Sequence, residues 1–224
     1  MNEEKGLIII PAYNEENHIS QIVHSSIHYL PVIVVDDGSI DQTSLLAEKN
    51  GATVLKQVPN QGKGEALKRG FREALKLEVD FVVTLDADGQ HAIDEIEKFL
   101  SLYREKKPDL IIGYRDFSKM PFSRKLANTF GRQAFSWAMG MRILDNQSGY
   151  RLMSRRLIEK VLESQESGFE FEVDVIVNCV QSNFMIDWLP IKTIYRDEKS
   201  HIHPLEHTKN FFRIVFQTRK KMKK

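Results

Sequence analysis

The stretch that decides the fold reads Asp80-Phe-Val-Val-Thr-Leu-Asp-Ala-Asp-Gly-Gln-His91. Its apolar part, residues 81–85, is rich in β-branched side chains and predicts a strand buried on both faces. Asp86 and Asp88 follow directly, so we expect both carboxylates on one side of the chain where the strand ends. Two carboxylates and the amide of Gln90 suit Mg²⁺ or Mn²⁺. The stretch therefore predicts a divalent-cation site, although the acidic pair taken alone also fits a turn and a helix cap.

Strands and helices alternate through the first half of the chain. Apolar runs predict strands at residues 7–10, 32–35, 52–56, 81–85 and 109–113, and helical patterns occur at residues 15–28, 41–50 and 93–103, with a further helix that follows the segment 60–66 and runs to about residue 76. This alternation predicts an α/β fold with a mostly parallel central sheet flanked by helices. Ligands bind such sheets at the carboxyl ends of the strands, where the polar clusters of this chain lie.

The second half of the sequence is less regular. We predict helices at residues 121–141, 155–162, 169–183 and 204–220, a polar loop at 145–151, and strands at 184–189 and 191–195 on either side of Pro190. Neither an internal repeat nor a low-complexity linker interrupts the chain. We therefore expect a single domain spanning residues 1–224.

Composition excludes several classes of protein. The chain has 224 residues and a net charge of +1, which does not indicate a nucleic-acid-binding protein, although residues 219–224 form a basic tail. The lone Cys179 excludes an internal disulfide, fits a reducing compartment and predicts a packed core position. Without a signal peptide or an apolar stretch of about 20 residues, we expect a cytoplasmic protein. Residues 121–141 and the basic tail predict either peripheral contact with the cytoplasmic membrane face or ordinary packing.

Other common ligand-binding motifs are absent. The first strand ends in Pro11-Ala-Tyr-Asn-Glu15, which lacks the glycines of a dinucleotide-binding turn. The Gly62-Lys63-Gly64 segment lacks the upstream glycine and the following Ser or Thr of a phosphate-binding loop of NTPases. An EF-hand is also excluded, because Gln90 and His91 replace its third ligand and its glycine.

Six motifs occur in the order and spacing of a known family, at residues 11–15, 36–39, 60–66, 86–90, 113–115 and 145–151. Over residues 6–200 the chain resembles family 2 glycosyltransferases, especially the dolichyl- or polyprenyl-phosphate mannosyl- and glucosyltransferases. The resemblance implies a GT-A fold. It also implies a nucleotide-sugar-binding half at residues 1–115, an acceptor half at 116–203, and a C-terminal helix with a basic tail at 204–224.

The resemblance further implies an inverting, metal-dependent transfer of a hexose from a UDP- or GDP-sugar to a polyprenyl phosphate or a related lipid or glycan. The implied substrate-binding residues are Pro11, Tyr13, Glu15, Asp37, Lys63, Asp86, Gln90, Arg115, Arg124 and Ser148. The implied ligands of Mg²⁺ or Mn²⁺ are Asp86, Asp88 and Gln90. The implied catalytic residues are Asp88, Asp145 and Arg151.

Several roles stay open at this point. Asp145 would be a general base for a hydroxyl acceptor, but would only orient a lipid phosphate, which is already anionic. Arg124 also fits a solvated helix face. An acidic face exposed to solvent is predicted for Glu170, Glu172 and Asp174. A loop that closes over the donor phosphate, or an uncommitted surface loop, is predicted for Ser200, His201 and His203.

Two other functions are compatible with this architecture. A sugar nucleotidyltransferase can share a related sheet, but it usually has a glycine-rich loop after the first strand, unlike Pro11-Ala-Tyr-Asn-Glu15. A non-catalytic nucleotide-sugar-binding protein would not need the acidic pair together with Asp145.

Overall fold

In the part of the chain that the structure describes, the central sheet has seven strands in the order β3-β2-β1-β4-β6-β5-β7. The computed structural model describes residues 4–116, 122–163, 170–192, 194, 213–220 and 222, and for residues 122–127 and 170 it describes the backbone alone. The strands are β1 (Gly6–Ala12), β2 (Val32–Asp36), β3 (Thr53–Lys56), β4 (Phe81–Thr84), β5 (Leu110–Arg115), β6 (Arg151–Ser154) and β7 (Ile186–Ile191). Strand β6 is antiparallel to β4 and β5, and the other pairs are parallel. The predicted mostly parallel sheet is confirmed.

Helices cover both faces of this sheet. They are α1 (Ile19–Ser26), α2 (Thr43–Lys49), α3 (Lys63–Lys76), α4 (Ile96–Lys106), α5 (Phe122–Met139), α6 (Arg155–Val161) and α7 (Glu170–Gln181), with a short 3-10 turn at Ile93–Glu95. Because successive strand residues point to opposite faces, Ile8 and Ile10 pack with α1 and α4, whereas Leu7 and Ile9 pack with α3 and α6. Cys179 is buried in the second of these cores, as predicted, and burial raises the pKa of its thiol to about 12.

Helix α1 begins later than the predicted residue 15. The backbone N–H of Glu15 donates to Oγ1 of Thr43 (2.7 Å), and that of Glu16 donates to Oδ2 of Asp41 (3.2 Å). These bonds hold the segment after β1 against the segment after β2. Residues 15–18 therefore form a turn, and the regular helix starts at Ile19.

The sheet differs from the prediction at two strands. Strand β6 was not predicted, because only two of its four residues, Leu152 and Met153, are large and apolar. Strand β7 runs through Pro190, where two separate strands were predicted. Proline is tolerated there because, among the described strands, β7 pairs only with β5 and lies at the edge of the sheet. The predicted strand at residues 191–195 is wrong for Lys192 and Ile194, and residues 193 and 195 lie outside the described part.

Within the described residues, we find no helix with the length and hydrophobicity needed to span a bilayer. The predicted terminal helix is confirmed at residues 213–220, and residues 204–212 lie outside the described part.

Asp109 joins three strands at the sheet edge where β5 begins. Its buried carboxylate accepts bonds from Oγ of Ser154 (2.8 Å), from the backbone N–H of Met185 (3.0 Å) and from the guanidinium of Arg156. We expect Asp109→Ala to lower the free energy of unfolding at neutral pH by about 3 kcal/mol, because these donors lose a buried acceptor.

The stability that Asp109→Ala loses should be large at neutral pH and should become smaller at acidic pH. Burial would raise the pKa of Asp109, but the bonds from Arg156, Ser154 and Met185 outweigh burial and lower it. The carboxylate therefore contributes fully above the unfolded pKa of about 4, and its contribution disappears as the pH falls through the folded pKa. Urea unfolding at several pH values measures the difference, and a constant difference down to strongly acidic pH would contradict this assignment.

Candidate active site

Polar side chains converge at the edge of the sheet where β1, β2, β4 and β5 end. Ala12 pairs with Asp36 at the ends of β1 and β2. Because β6 runs in the opposite direction, its first residue, Arg151, pairs with Thr84 of β4 and Ile112 of β5. The loop before β6 therefore arrives at the same edge as the acidic pair.

Asp86 and Asp88 lie in a loop that is held by its own side chains. The backbone N–H of Asp86 donates to Nδ1 of His91 (3.2 Å), and the N–H of Gln90 donates to Oδ1 of Asp88 (2.9 Å). The carbonyl of Gln90 accepts from the N–H of Ile194, in the segment after β7 (2.9 Å). These bonds fix the loop directly after β4, as the sequence predicted.

Lys63, the first residue of α3, lies between two carboxylates. Its Nζ is 2.5 Å from Oδ1 of Asp86 and 2.8 Å from Oε1 of Glu172. Burial would lower the pKa of Lys63, but these two carboxylates outweigh burial and raise it. Burial would likewise raise the pKa of Asp86, but Lys63 and then His91 hold it at about 2. The site therefore holds a partly buried chain of alternating charges at neutral pH.

The predicted acidic face on α7 is wrong for two of its three members. Glu172 and Asp174 are both buried, and Glu172 forms the ion pair with Lys63. Asp174 accepts a bond from Nδ2 of Asn178, one turn further along the helix (2.7 Å). Burial next to Lys63 and Asn178 explains why these acids are not solvated; the side chain of Glu170 lies outside the described part.

Asp37 supports the loop that carries Lys63. Its Oδ1 accepts from Nε2 of Gln57 and from the N–H of Gln61 (2.8 Å), and its Oδ2 accepts from the N–H of Gly62 (2.7 Å). Gly62 has φ +91°, which glycine adopts without strain, and α3 begins directly after it. The buried Asp37 thus fixes the start of α3.

The end of β1 and the turn after it carry the predicted nucleoside-side residues. Pro11 is buried, Tyr13 is exposed to solvent, and Oε2 of Glu15 lies 3.3 Å from Nδ1 of His18. Asn14, between them, binds the segment after β2: its N–H donates to Oγ of Ser39 (2.9 Å), and its Oδ1 accepts from the N–H of Ile40 (3.0 Å).

Arg115 and Asp145 form a two-pronged ion pair across the site. Nε of Arg115 lies 2.7 Å from Oδ2 of Asp145, and Nη2 lies 3.0 Å from Oδ1. Burial would lower the pKa of Arg115, but Asp145 outweighs burial and raises it. Asp145 also accepts from the N–H of Gln147 (3.0 Å) and is buried. The last strand before α5 and the loop before β6 are thus joined by the two predicted residues.

Arg151 lies beneath this loop. Its guanidinium is buried and donates to the carbonyls of Ser148 (2.7 Å), Glu172 and Asn146 (3.4 Å). Burial lowers the pKa of this arginine. The hydroxyl of Ser148 is buried and has no hydrogen-bond partner among the described residues. Arg151 therefore holds the loop backbone, and Ser148 leaves one polar atom available inside the site.

Sequence reasoning did not identify the ring stack behind the acidic loop. Tyr150 stacks between His91 (ring centroids 4.9 Å apart) and Phe99 of α4 (4.5 Å). Its backbone carbonyl accepts from the N–H of Gly113 in β5 (2.9 Å). The stack fixes the acidic loop to the loop before β6; the aromatic spacing in the sequence gives no signal for this contact.

The loop residues fit a divalent cation. A Cβ added at Gly149 would lie 2.4 Å from Oδ1 of Asp86, so the close approach of the two loops requires glycine at this position. Across the described ranges, no group of three or more His, Cys, Asp or Glu residues could hold a metal ion. Mg²⁺ is commonly bound by one or two carboxylates and completes its shell with water and substrate phosphates. Asp86, Asp88 and Gln90 offer this kind of incomplete ligand set.

Four predicted residues lie outside the described part, wholly or in their side chains. Arg124 lies in α5, as predicted, but its side chain is outside the described part, and so are Ser200, His201 and His203. The remaining predicted residues lie on the loops and element ends of this edge.

The sequence matches the family model "Glycosyl transferase family 2" over residues 7–166. It is 31% identical over 217 residues to the UDP-N-acetylglucosamine–dolichyl-phosphate N-acetylglucosaminyltransferase of Methanococcus voltae, covering 85% of this chain and 86% of the relative. It is also 31% identical over 214 residues to the polyprenol monophosphomannose synthase of Mycolicibacterium smegmatis, covering 87% and 79%.

The fold is similar to that of glucosyl-3-phosphoglycerate synthase from Mycobacterium tuberculosis in complex with UDP. The TM-score is 0.78 at 20% identity, covering 97% of this chain and 80% of the other. Another structure of that enzyme contains Mn²⁺, UDP and glucosyl-3-phosphoglycerate, with a TM-score of 0.69 at 20% identity, covering 96% and 78%. The predicted GT-A fold is confirmed.

Proposed function

Because the chain belongs to glycosyltransferase family 2 and is a glycosyltransferase, we propose that it is a metal-dependent, inverting hexosyltransferase. The donor is a UDP- or GDP-sugar, and the acceptor is a polyprenyl phosphate or a related lipid or glycan. The observation that carries this proposal is the meeting of Asp86, Lys63 and Glu172 in one ion-pair chain at the carboxyl edge of the sheet, beside the Arg115–Asp145 pair.

The donor would bind along residues 1–115. Pro11, Tyr13 and Glu15 frame the nucleoside in this proposal, and Asp37 accepts from a base N–H in addition to supporting the loop of Lys63. Lys63 and Arg115 have raised pKa values and stay cationic, since carboxylates outweigh their burial. Both can therefore contact diphosphate oxygens, and a guanidinium does so with two parallel bonds.

Asp86, Asp88 and Gln90 would hold Mg²⁺ or Mn²⁺ next to the donor diphosphate. The cation, when bound, supplies positive charge that stabilises the departing nucleoside diphosphate. Lys63 already balances part of the charge of Asp86, and the carboxylate of Glu172 is a second partner for the ammonium of Lys63. The acidic loop can thus admit a cation without leaving the ammonium of Lys63 unpaired.

The acceptor would bind along residues 116–203, next to Asp145. An acceptor oxygen attacks the anomeric carbon from the face opposite the diphosphate, and the bond from that carbon to the diphosphate oxygen breaks. A lipid phosphate is already anionic and needs no base, so the Arg115–Asp145 pair can remain closed while Asp145 orients the acceptor. A hydroxyl acceptor would instead have to give its proton to Asp145, whose two carboxylate oxygens already accept from Arg115. The geometry therefore favours the lipid phosphate, as do the acceptors in the names of the two relatives.

Three further residues complete the proposed site. Ser148 contributes to a ligand its hydroxyl, which has no partner among the described residues, and Arg124 contacts a phosphate. Arg151 positions the loop before β6 through its backbone carbonyls. We assign residues 204–224 to a C-terminal helix and basic tail, and we propose that the enzyme acts in the cytoplasm, peripherally at the membrane face where its lipid acceptor lies.

A thermal-shift screen of UDP-, GDP- and dTDP-sugars, with and without Mn²⁺, tests the donor. A ligand at one hundred times its Kd stabilises the native state by about 2.7 kcal/mol, which raises the melting temperature of a domain of this size by about 5–10 °C. We expect a shift of this size with one base only, and only with the cation present.

Incubation of the identified donor with a polyprenyl phosphate then tests transfer. The expected product is a glycosylated lipid phosphate with release of nucleoside diphosphate. Donor binding without transfer to any acceptor would favour a non-catalytic binding protein. Release of pyrophosphate from a nucleoside triphosphate and a sugar phosphate would instead identify a nucleotidyltransferase.

A further inference from the structure

The outward face of α5 carries large apolar side chains that the core does not use. Phe130 and Trp137 lie about two turns apart on α5 and are 54% and 55% exposed, and the exposed Met141 follows two residues after the end of the helix. The opposite face of the helix packs Phe135 and Met139 into the core. An apolar stripe on the outside of a helix whose other side is already packed indicates a contact with a partner.

The C-terminal segment, residues 213–220, adjoins this stripe. Nη1 of Arg219 donates to the carbonyl of Trp137 (3.1 Å), and its guanidinium lies 5.0 Å from the centre of the indole ring. Val215 and Thr218 are buried, whereas Phe216, which lies between them in the sequence, is 63% exposed. The segment is therefore packed on one side and presents a second exposed aromatic ring on the other.

The charge of this region has a single sign. Residues 117–144 contain five Lys or Arg and no acidic residue, and residues 207–224 contain seven and no acidic residue, in a chain whose net charge is +1. In the described part, an open cleft of about 650 Å³ lies beside Trp137, and three arginines line it: Arg132, Arg142 and Arg219. Nε of Arg219 is buried there without an acceptor among the described residues. The cleft thus fits an anionic group.

We propose that this surface docks the enzyme on a bilayer that contains anionic lipid. We call it the aromatic–arginine face and define it by Phe130, Trp137, Met141, Arg142, Phe216 and Arg219. Exposed aromatic and apolar side chains enter the interface between headgroups and acyl chains, and arginines meet the lipid phosphates. A symmetric dimer through the same face would oppose arginine to arginine, which disfavours a second copy as the occupant.

The inference rests on the proposed function for its choice of a membrane partner. Helix α5 lies in the chain between Arg115 and Asp145, the ion pair of the candidate site. Docking through α5 would therefore hold the acceptor side of the site close to the surface from which a lipid phosphate is drawn.

Vesicle flotation with phosphatidylcholine, with and without phosphatidylglycerol, measures the docking directly. We expect binding only to the anionic vesicles, and weaker binding at high salt. Trp137→Ser combined with Phe216→Ser should weaken binding about tenfold or more, since two apolar side chains no longer enter the bilayer. The matched control is Leu77→Ser with Leu45→Ser, which removes two comparably exposed side chains elsewhere (51% and 45%) and should leave binding unchanged.

Charge variants test the second component of the face. Arg142→Gln in the face, combined with Lys220→Gln at the exposed lysine next to Arg219, should weaken binding by about fivefold for each charge removed, whereas Arg72→Gln with Lys76→Gln on α3 should not. Brominated lipids should quench the fluorescence of Trp137. The chain has a second tryptophan, Trp188, so the Trp137→Phe variant shows how much of the quenched fluorescence comes from Trp137. Circular dichroism melts of all variants confirm that they fold.

The outcomes separate docking from transfer. Transfer to a short, water-soluble prenyl phosphate should be unchanged in the face variants, whereas transfer to a vesicle-bound polyprenyl phosphate should fall. Absence of transfer by the wild type to any acceptor would refute the proposed function while vesicle binding is still measured. Absence of wild-type binding to anionic vesicles would overturn the docking proposal. The docking proposal would also be overturned if sedimentation equilibrium showed a wild-type dimer and the Trp137→Ser, Phe216→Ser variant were monomeric, because the face would then bind a second copy of the chain.

Discussion

Asp88→Asn is expected to lower kcat for sugar transfer by about a hundred- to a thousandfold. The amide keeps the size of the side chain and an oxygen that can accept from the N–H of Gln90, so the loop should retain its shape. It removes one of the two carboxylate charges available to a divalent cation. We also expect the Mn²⁺-dependent thermal shift with the donor to disappear, while the melting temperature of the free protein changes by little.

Asp94→Asn is the matched control for this variant. Asp94 is an exposed acid in the 3-10 turn that follows the same loop, and its substitution removes the same charge from the same region. Activity and metal response should stay close to wild type in this control. Full transfer activity by Asp88→Asn, with an unaltered dependence on Mn²⁺, would exclude the acidic pair from the reaction.

The fold could be predicted largely because its information is local. Residues 81–84 form β4 as their apolar β-branched run predicted, and the alternation of such runs with amphipathic segments gave the parallel part of the sheet. Strand β6 was missed because it is short, and its stability comes from hydrogen bonds to β4 and β5 on either side. Such non-local pairing leaves no periodic pattern in the sequence.

In the candidate site, too, residues within motifs could be predicted, whereas contacts between distant parts of the chain could not. Motifs identified Asp86 and Lys63, which follow a strand and open a helix at the binding edge, and Asp145, which lies in the loop before β6. Glu172 was taken for a solvated acid, since spacing along a helix does not reveal that Lys63, more than a hundred residues earlier, lies 2.8 Å away. The pairing of Arg115 with Asp145 likewise depends on the fold and not on either motif alone.

Gly149→Ala should reduce the rate of sugar transfer by about a hundredfold or more, because the added methyl group would displace the carboxylate of Asp86. An added Cβ would lie 2.4 Å and 2.6 Å from the two carboxylate oxygens of Asp86, far inside normal contact distance. The carbonyl of Gly149 is held by Oγ1 of Thr84 (2.7 Å), so the loop cannot easily retreat. Asp86 must then move away from its position beside Lys63, and displacements of about 1 Å in a catalytic group can cost about a hundredfold in rate.

The control for Gly149→Ala separates displacement of Asp86 from general overcrowding. Gly70→Ala, in α3, would place a Cβ 2.6 Å from Cγ2 of Ile9, a similar clash against the apolar core. Both variants should lose about 1–3 kcal/mol of stability, but only Gly149→Ala should lose the Mn²⁺-dependent donor shift. Equal losses of donor binding in the two variants would mean that overcrowding alone is responsible. If Gly149→Ala kept donor binding and activity, the position of Asp86 against this loop would not be required for transfer. The ion-pair chain of Asp86, Lys63 and Glu172 could then not be the observation that supports the proposed function.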